Sequence, residues 1–416
     1  LGKIMHLVEK QYPSEKELIQ QIKEAERELL MLDKGDQALA QLSLTIQLYY
    51  LNGGNEEGKK KALNIIDKFK NAYPLKSHFA AFKSNGFVEF TDKSYQSAYK
   101  KALDTNVLEW HLTTAESGQV SGSYVLSIGT ARDNYGCSYM EFNFPISLVY
   151  EENGRAEFYS WISYLIQNLE VLHGYAGLSI QLPHDRHPYQ FYEYGVTRQY
   201  WGITPDGPSF FTLDWETGTR SINWYTFIGK NLKDKLINQP FYETTLKNVP
   251  DLELTEINGC MVIKAGELPR LGNKSKPLPL SYVVVNQLCK AVRTDMPTDA
   301  MHTAYRGPRY SLSQVYYWIR RWDNTNFSKG VFDFDGIKED LLPILGEYSN
   351  EDRIVPYSGI WTPFDFDGIE QHLTQGQEFP EEAEYDWDNG ELDSKPAVWK
   401  LISRDDGGVV VLPNPF

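Results

Sequence analysis

The residues able to do chemistry fall into a few small sets. Asp251 and Lys264 flank a hairpin-like stretch. A metal-dependent nuclease can be built on such a frame. It needs an Asp on one strand and, on the next, a carboxylate two residues before a Lys, so that two acids hold a divalent ion beside a cation. The position two residues before Lys264 is Val262, which offers no ligand atom. The nuclease reading fails there. His184-Asp185-Arg186-His187 gathers ligand-type side chains in four residues. It follows a strand pattern and precedes Pro188, and no helical His-Glu-x-x-His supports a zinc site, so a surface loop is predicted.

The hexapeptide Phe-Asp-Phe-Asp-Gly-Ile occurs twice, starting at Phe332 and at Phe364. Asp-x-Asp-Gly is how a calcium loop begins. An EF-hand also needs a third ligand before the Gly and a Glu at its end. Asp365-Phe366-Asp367-Gly368 has no third ligand, and the closing position falls on Thr374. Turns are predicted at both copies, and the repetition itself has no physical account. Cys137, Cys260 and Cys289 are odd in number and widely spaced, which builds neither a disulfide framework nor a zinc pattern. Three reduced, buried thiols are predicted. No Gly-x-Ser-x-Gly elbow, Walker loop or Gly-x-Gly-x-x-Gly after a strand occurs. No cofactor and no metal are expected.

These residues hang on a recognisable set of elements. Ser14 and Glu17 have capping-box spacing, and Leu18, Ile22, Ala25, Leu29 and Met31 continue a helical period to about Leu32. Three strand-then-helix units follow. Leu42 to Leu48 alternate with polar residues, Asn52-Gly53-Gly54-Asn55 turns the chain, and a helix runs from Glu56 to about Ala72. Phe142 to Leu148 alternate likewise before a helix from about Arg155 to Leu172, ended by His173-Gly174, and a strand from Ala176 to Leu182. Ser221 to Ile228 reads as a central strand, with a helix after Gly229. Further strands are predicted near Phe79–Phe82, Val88–Phe90, Leu108–Thr113 and Tyr124–Ile128. Asn258-Gly259 joins two strands, Leu252–Ile257 and Cys260–Ala265, as a hairpin. Ser311–Trp322 reads as an aromatic helix.

The predicted class is α+β: mixed sheet or sheets with packed helices built from strand-helix units, an N-terminal helix and an acidic C-terminal appendage. The predicted divisions are residues 1–37, 38–310 and 311–416.

The formal net charge is −15 and the pI about 5.1. Between Asp333 and Asp393 there are 18 acidic residues against Lys338 and Arg353, so most of that charge sits in one stretch. Such a surface repels phosphate backbones, which argues against direct nucleic-acid binding and favours a basic protein partner. Aromatic residues are interleaved, unlike in a disordered acidic tail, so a folded appendage is predicted. No apolar run reaches the ~20 residues of a membrane span. The first ten residues lack the apolar core and cleavage site of a signal peptide. Leu1 stands where an initiator Met would, so a few native residues are expected to precede it.

With these residues in place, the chain resembles the TsiV family, immunity proteins of type VI secretion named for protection against VRR-Nuc nuclease toxins. The likeness is carried by Arg220-Ser-Ile-Asn-Trp-Tyr-Thr-Phe-Ile-Gly229, the Gly259–Gly266 hairpin, Ala265-Gly266-x-x-Pro269-x-Leu271-Gly272, Pro279 to Tyr282 and the helix from Leu288 to Arg293. The Ala176-Gly177-Leu178 strand after a long helix also fits. The likeness covers roughly residues 38 to 310. Where the family shows Leu-Gly-Asp, this chain has Leu271-Gly272-Asn273. Ser358-Gly359-Ile360-Trp361-x-Pro363, Gly376-x-x-Phe379-Pro380 and Val398-Trp399 are similar to a tail seen in polymorphic-toxin immunity proteins.

The resemblance implies a non-catalytic, cytoplasmic protein that binds a cognate toxin, expected to be basic, and blocks its active site. The acidic appendage is the expected contact, with Trp361 and Trp387 as anchors and Asp365, Asp367, Glu381, Glu382, Glu384, Asp386 and Asp388 supplying charge. Two other readings stay open from the residues alone: an enzyme with a pocket in the aromatic-rich core, and an adaptor of secretion machinery.

Overall fold

The computed structural model describes residues 13–81, 86–130, 137–205, 218–238, 242, 249, 251–294, 301–302, 310, 315 and 318–322. Beyond these it describes shorter stretches between 327 and 411, chiefly 357–363, 370–380, 382–385, 392–395 and 398–405. No helix among them is long and apolar enough to cross a membrane.

Helix α1 (Glu15–Glu28) starts with the expected capping box: Ser14 Oγ accepts from the Glu17 N–H, and the Glu17 carboxylate accepts from the Ser14 N–H. It ends earlier than its hydrophobic period suggests. Met31–Leu32 form a short strand, β1, which pairs antiparallel with β2 (Ala38–Leu51). Leu18, Ile22, Ala25 and Leu29 pack into the main core, so the N-terminal helix shares one interior with the rest.

Among the described residues eleven strands form one antiparallel sheet. Besides β1 and β2 they are β3 (Ser77–Ala80), β4 (Val88–Glu89), β5 (Glu109–Thr113), β6 (Val125–Gly129), β7 (Ser138–Pro145), β8 (Glu170–Gln181), β9 (Tyr225–Ile228), β10 (Leu252–Ile257) and β11 (Cys260–Ala265). The order across the sheet is β10-β11-β9-β8-β2-β7-β6-β5-β3-β4. The hairpin β10–β11 forms as predicted, with Asn258 and Gly259 both at positive φ in its turn. The strand predicted from Ser221 is shorter, starting at Tyr225. His173 and Gly174 lie inside β8 rather than ending a helix.

One face of the sheet is apolar. Leu44, Ile46 and Leu48 of β2 lie beside Phe144, Phe142 and Met140 of β7. Helices α2 (Glu56–Ala72) and α4 (Glu152–Asn168) cover this face, with Phe69 5.6 Å from the Phe142 ring and Phe158 5.6 Å from the Phe144 ring. Helix α3 (Asp92–Asp104), absent from the expected elements, carries its own capping box at Thr91 and Ser94. The other face is polar yet equally buried, and it is described with the site. Helices α5 (Gln190–Gln199), α6 (Lys230–Ile237) and α7 (Leu280–Cys289) complete the described helices longer than one turn. All three cysteines are buried and none is in a disulfide.

Val315, Trp318, Ile319 and Trp322 belong to the main core, so the chain stays with the large unit past the expected division at 311. A second, smaller core follows. Residues 347–349, 398–404, 359–363 and 371–373 form a four-stranded antiparallel sheet in that order, around Val355, Trp361, Leu373, Phe379, Trp399 and Leu401. The acidic stretch therefore carries folded structure. The two Phe-Asp-Phe-Asp-Gly-Ile turns lie outside the described residues from Asp333 and from Phe364 onward.

Candidate functional site

The segment from Arg220 to Tyr282 binds the edge of the sheet to the loop that follows it. The Asn223 side-chain oxygen accepts from the Trp224 N–H at 2.7 Å, and Asn223 Nδ2 donates to the Leu178 carbonyl at 3.2 Å. The Trp224 indole donates to the Gly266 carbonyl at 2.9 Å. The Tyr282 hydroxyl accepts from the Arg270 N–H at 3.1 Å and reaches Asn223 Oδ1 at 3.4 Å. All of these side chains but Arg270's are under 4% exposed. A Cβ on Gly177 would fall 2.1 Å from Asn223 Oδ1, so only glycine fits opposite that amide. The stretch thus fixes the fold, as expected for the Trp224 strand.

The loop from Gly266 to Asn273 turns at Gly266 and Gly272, both at positive φ. It lies against residues 200–202: the Trp201 and Gly202 N–H groups donate to the Gly272 and Leu271 carbonyls, each at 2.9 Å. Asn273 Oδ1 accepts from the Ser275 N–H and hydroxyl at 2.9 and 2.7 Å. An Asp would accept both equally well, so the departure from Leu-Gly-Asp keeps the local bonding.

Behind this segment runs the polar face of the sheet. Strand register places His111, Ser127, Glu141, Gln47, Tyr175 and Thr226 in one row across six strands. Each is under 9% exposed. His111 Nδ1 lies 2.8 Å from Ser127 Oγ, Gln47 Nε2 donates to Glu141 Oε1 at 3.1 Å, and the Tyr175 hydroxyl donates to Gln47 Oε1 at 2.6 Å. Arg220, fully buried, donates to the Tyr175 hydroxyl at 2.6 Å and to Gln47 Oε1 at 3.2 Å. Burial alone would lower the Arg220 pKa, but the Tyr175 and Tyr49 hydroxyls and the Glu141 carboxylate outweigh it and the pKa rises. Burial, with His184 and Arg186 nearby, holds the His111 pKa well below the usual histidine value. The row holds an acid and a histidine with the Arg220 cation beside it, and each bonds neutral side chains inside the protein: Glu141 to Gln47, His111 to Ser127, Arg220 to Tyr175 and Gln47.

The other sequence candidates take ordinary places. Lys264 pairs with Glu253 at 3.4 Å and Glu267 at 2.8 Å, while Val262 is buried in the sheet. The His184 ring packs among Phe79, Phe87 and His111 at 4.7–4.9 Å, with Asp185 and His187 exposed in the predicted loop. Among the described residues no group of three His, Cys, Asp or Glu side chains could hold a metal ion.

Two carboxylate-lined clefts border the Gly266–Pro279 loop. One, of about 290 Å³, lies against α1, with Glu24 and Glu28 facing Arg270 and Lys276. The other, of about 330 Å³, has Glu15, Asp251, Glu253 and Glu267 on its walls. Both were missed in sequence because their charged residues come from segments more than 200 residues apart: Glu24 and Glu28 against Arg270 and Lys276 in one, Glu15 against Asp251, Glu253 and Glu267 in the other.

The expected contact residues of the appendage are placed as follows. Trp361 is a correction: it is fully buried in the small core, its indole donating to the Tyr357 carbonyl at 3.1 Å. Strand alternation packs it inward against Phe379 at 5.2 Å, so it holds the sheet and cannot anchor a partner from that position. Glu382 and Glu384 lie on a strand, residues 382–385, paired with 392–395 so that Glu382 sits across from Lys395 and Glu384 from Asp393. Asp365, Asp367, Glu381, Asp386, Trp387 and Asp388 lie outside the described residues.

Comparison with known proteins adds three findings. A family model described as TsiV, type VI immunity for VRR-NUC, matches residues 62–322. No curated protein matches the chain. A solved structure described as the Pseudomonas aeruginosa T6SS protein PA0821 is similar in fold, with a TM-score of 0.62 at 16% identity over 74% of this chain and 91% of that one.

Proposed function

Because this chain belongs to the TsiV family, described as type VI immunity for VRR-NUC, we propose that it binds and neutralises a cognate antibacterial toxin of the VRR-Nuc nuclease kind by covering the toxin's active site. The encounter takes place in the cytoplasm, where such a toxin would reach DNA. A nuclease holds a polyanion, so its substrate channel is expected to be basic. An acidic protein surface enters such a channel with the charge of the substrate and none of its scissile bonds, and long-range attraction speeds the encounter.

The observation that carries this reading is the separation of roles along the chain. The family's signature residues are committed to holding the sheet, while 18 acidic residues against two basic ones gather between Asp333 and Asp393, past the matched core. Asp365, Asp367, Glu381, Glu382, Glu384, Asp386 and Asp388 supply the contact charge, with Trp387 as its aromatic anchor. Trp361 supports them from within the small core.

The test is a pull-down of the tagged protein from its own host's lysate. One stoichiometric partner, basic and toxic when expressed alone, is expected. Recovery of abundant secretion machinery without such a partner sinks the reading.

A further inference from the structure

Residues 318–322 lie against Ser221 and Arg220 at the polar face of the sheet and carry three buried donors on one turn. Arg321 is 7% exposed. Its Nε donates to the Trp201 carbonyl at 2.8 Å, and its Nη1 donates to Ser221 Oγ at 3.0 Å and to the Trp318 carbonyl at 2.9 Å. Its polar partners are thus two carbonyls and a hydroxyl, all uncharged. Its remaining nitrogen, Nη2, has no hydrogen-bond partner, and neither does the indole N–H of Trp318 or of Trp322. The guanidinium sits between those indoles, its Cζ 3.9 Å from the Trp318 ring centre and 5.5 Å from that of Trp322. A second guanidinium, that of Arg220, lies 5.7 Å from the same Trp318 ring.

Every orphaned group in this turn is a donor, and the cluster is cationic. The neighbouring hydroxyls are engaged: Tyr175 on Gln47, Tyr310 with Thr197, Tyr282 toward Asn223. Buried donors left unmade cost free energy, and a buried cation without a counter-charge costs more. Both deficits are met by the same species, a small acceptor with negative charge. A water could satisfy the donors and would leave the charge uncompensated.

We propose that Arg321 Nη2, with the indole N–H groups of Trp318 and Trp322, forms an internal binding site for a small monovalent anion of halide size. The bound ion clamps the 318–322 turn onto the sheet and so closes the matched core at its C-terminal end. This site is independent of the toxin-binding reading, and its test needs no toxin.

The test is thermal unfolding of the full chain at one ionic strength, in sodium chloride and in sodium gluconate, whose anion is too large to enter. A Tm higher in chloride by roughly 2 °C is expected, the response of a large chain to a modest excess of ligand over its dissociation constant. Trp322→Phe keeps an aromatic ring in place and removes one donor, and it should lose most of that difference. Equal melting in both salts, or a difference that Trp322→Phe leaves intact, overturns the proposal. Should the variant fail to fold, crystals of the unmodified protein soaked in bromide decide it. An anomalous peak within hydrogen-bond reach of Arg321 Nη2 supports the site, and its absence removes it.

Discussion

The indole N–H of Trp224 donates to the carbonyl of Gly266 at 2.9 Å, joining the end of the signature strand to the turn that opens the signature loop. Trp224 is 1% exposed and its ring is parallel to that of Phe158 on α4, 6.0 Å away. One side chain therefore ties strand, loop and helix. Replacing it with Phe keeps most of the ring contact and leaves the Gly266 carbonyl without its donor. Trp224→Phe is expected to cost about 2–3 kcal/mol, combining a lost buried hydrogen bond with a small cavity. Chemical denaturation checks it, and an unchanged midpoint would show that water replaces the indole freely.

Gly177 and Asn223 make a steric prediction. Gly177→Ala places a methyl 2.1 Å from Asn223 Oδ1, and the amide is held by three other contacts. A loss of about 1–3 kcal/mol is expected, typical of forced overpacking. Asn223→Ser, which empties the space, should recover part of that loss when combined with Gly177→Ala. Strict additivity in the double-mutant cycle would contradict the contact.

Charge reversal tests the proposed contact surface. Converting Glu381, Glu382, Glu384, Asp386 and Asp388 together to Lys should slow association with the toxin by about ten- to a hundred-fold, with most of the change in the on-rate and its salt dependence. Stopped-flow association at two ionic strengths reads this. An on-rate unaffected by the reversal would move the contact elsewhere, and the carboxylate-walled clefts beside the Gly266–Pro279 loop would be the next surface to reverse.

The thiols give a prediction in pH. Burial pushes Cys260 and Cys289 up to about 12 from an ordinary value of 9.0. In the folded protein both stay protonated, so neither should react with a thiol reagent at pH 8 until the chain unfolds. Between pH 9 and 12 the unfolded chain releases these protons while the folded chain keeps them. The unfolded state then binds fewer protons, and these two groups subtract stability as pH rises through that window. Arg321, held down to about 9 by burial, acts in the opposite sense over the same range. Rapid labelling of either thiol in the native state at pH 8 would contradict the burial.

Much of the fold is legible in the sequence because its signals are local. The capping box at Ser14 and the Asn258-Gly259 hairpin each depend on a few neighbouring residues, and both form as read. The polar face is not legible. Leu42 to Leu48 alternating with Ser43, Thr45 and Gln47 is the pattern of a strand with one wet face. Here both faces are buried, because residues from other strands and from beyond position 200 satisfy the polar ones. Helix α5 is hidden for the same reason: its buried side includes Gln190, Glu193 and Thr197, so no apolar period marks it. Glu193 lies 2.6 Å from His302 Nε2, a partner more than a hundred residues away. As for the contact region, its excess of acid is visible in composition, whereas the inward turn of Trp361 depends on pairings with strands 371–373 and 398–404.

The register of the central strands also sets a clock. Ser43 on β2 bonds the carbonyl of Ser179 on β8, 136 positions later. At about 5–20 residues per second of synthesis, β2 waits roughly 7–30 seconds for the strand that completes it. Until then one edge of β2 has no partner strand, and closing so long a loop is slow in itself. That wait falls within synthesis of the 416-residue chain, which takes about 20–80 seconds at the same rate. On the reading proposed above, a cell struck by a toxin that acts within that time is not helped by a new copy. Its defence rests on copies finished before the attack.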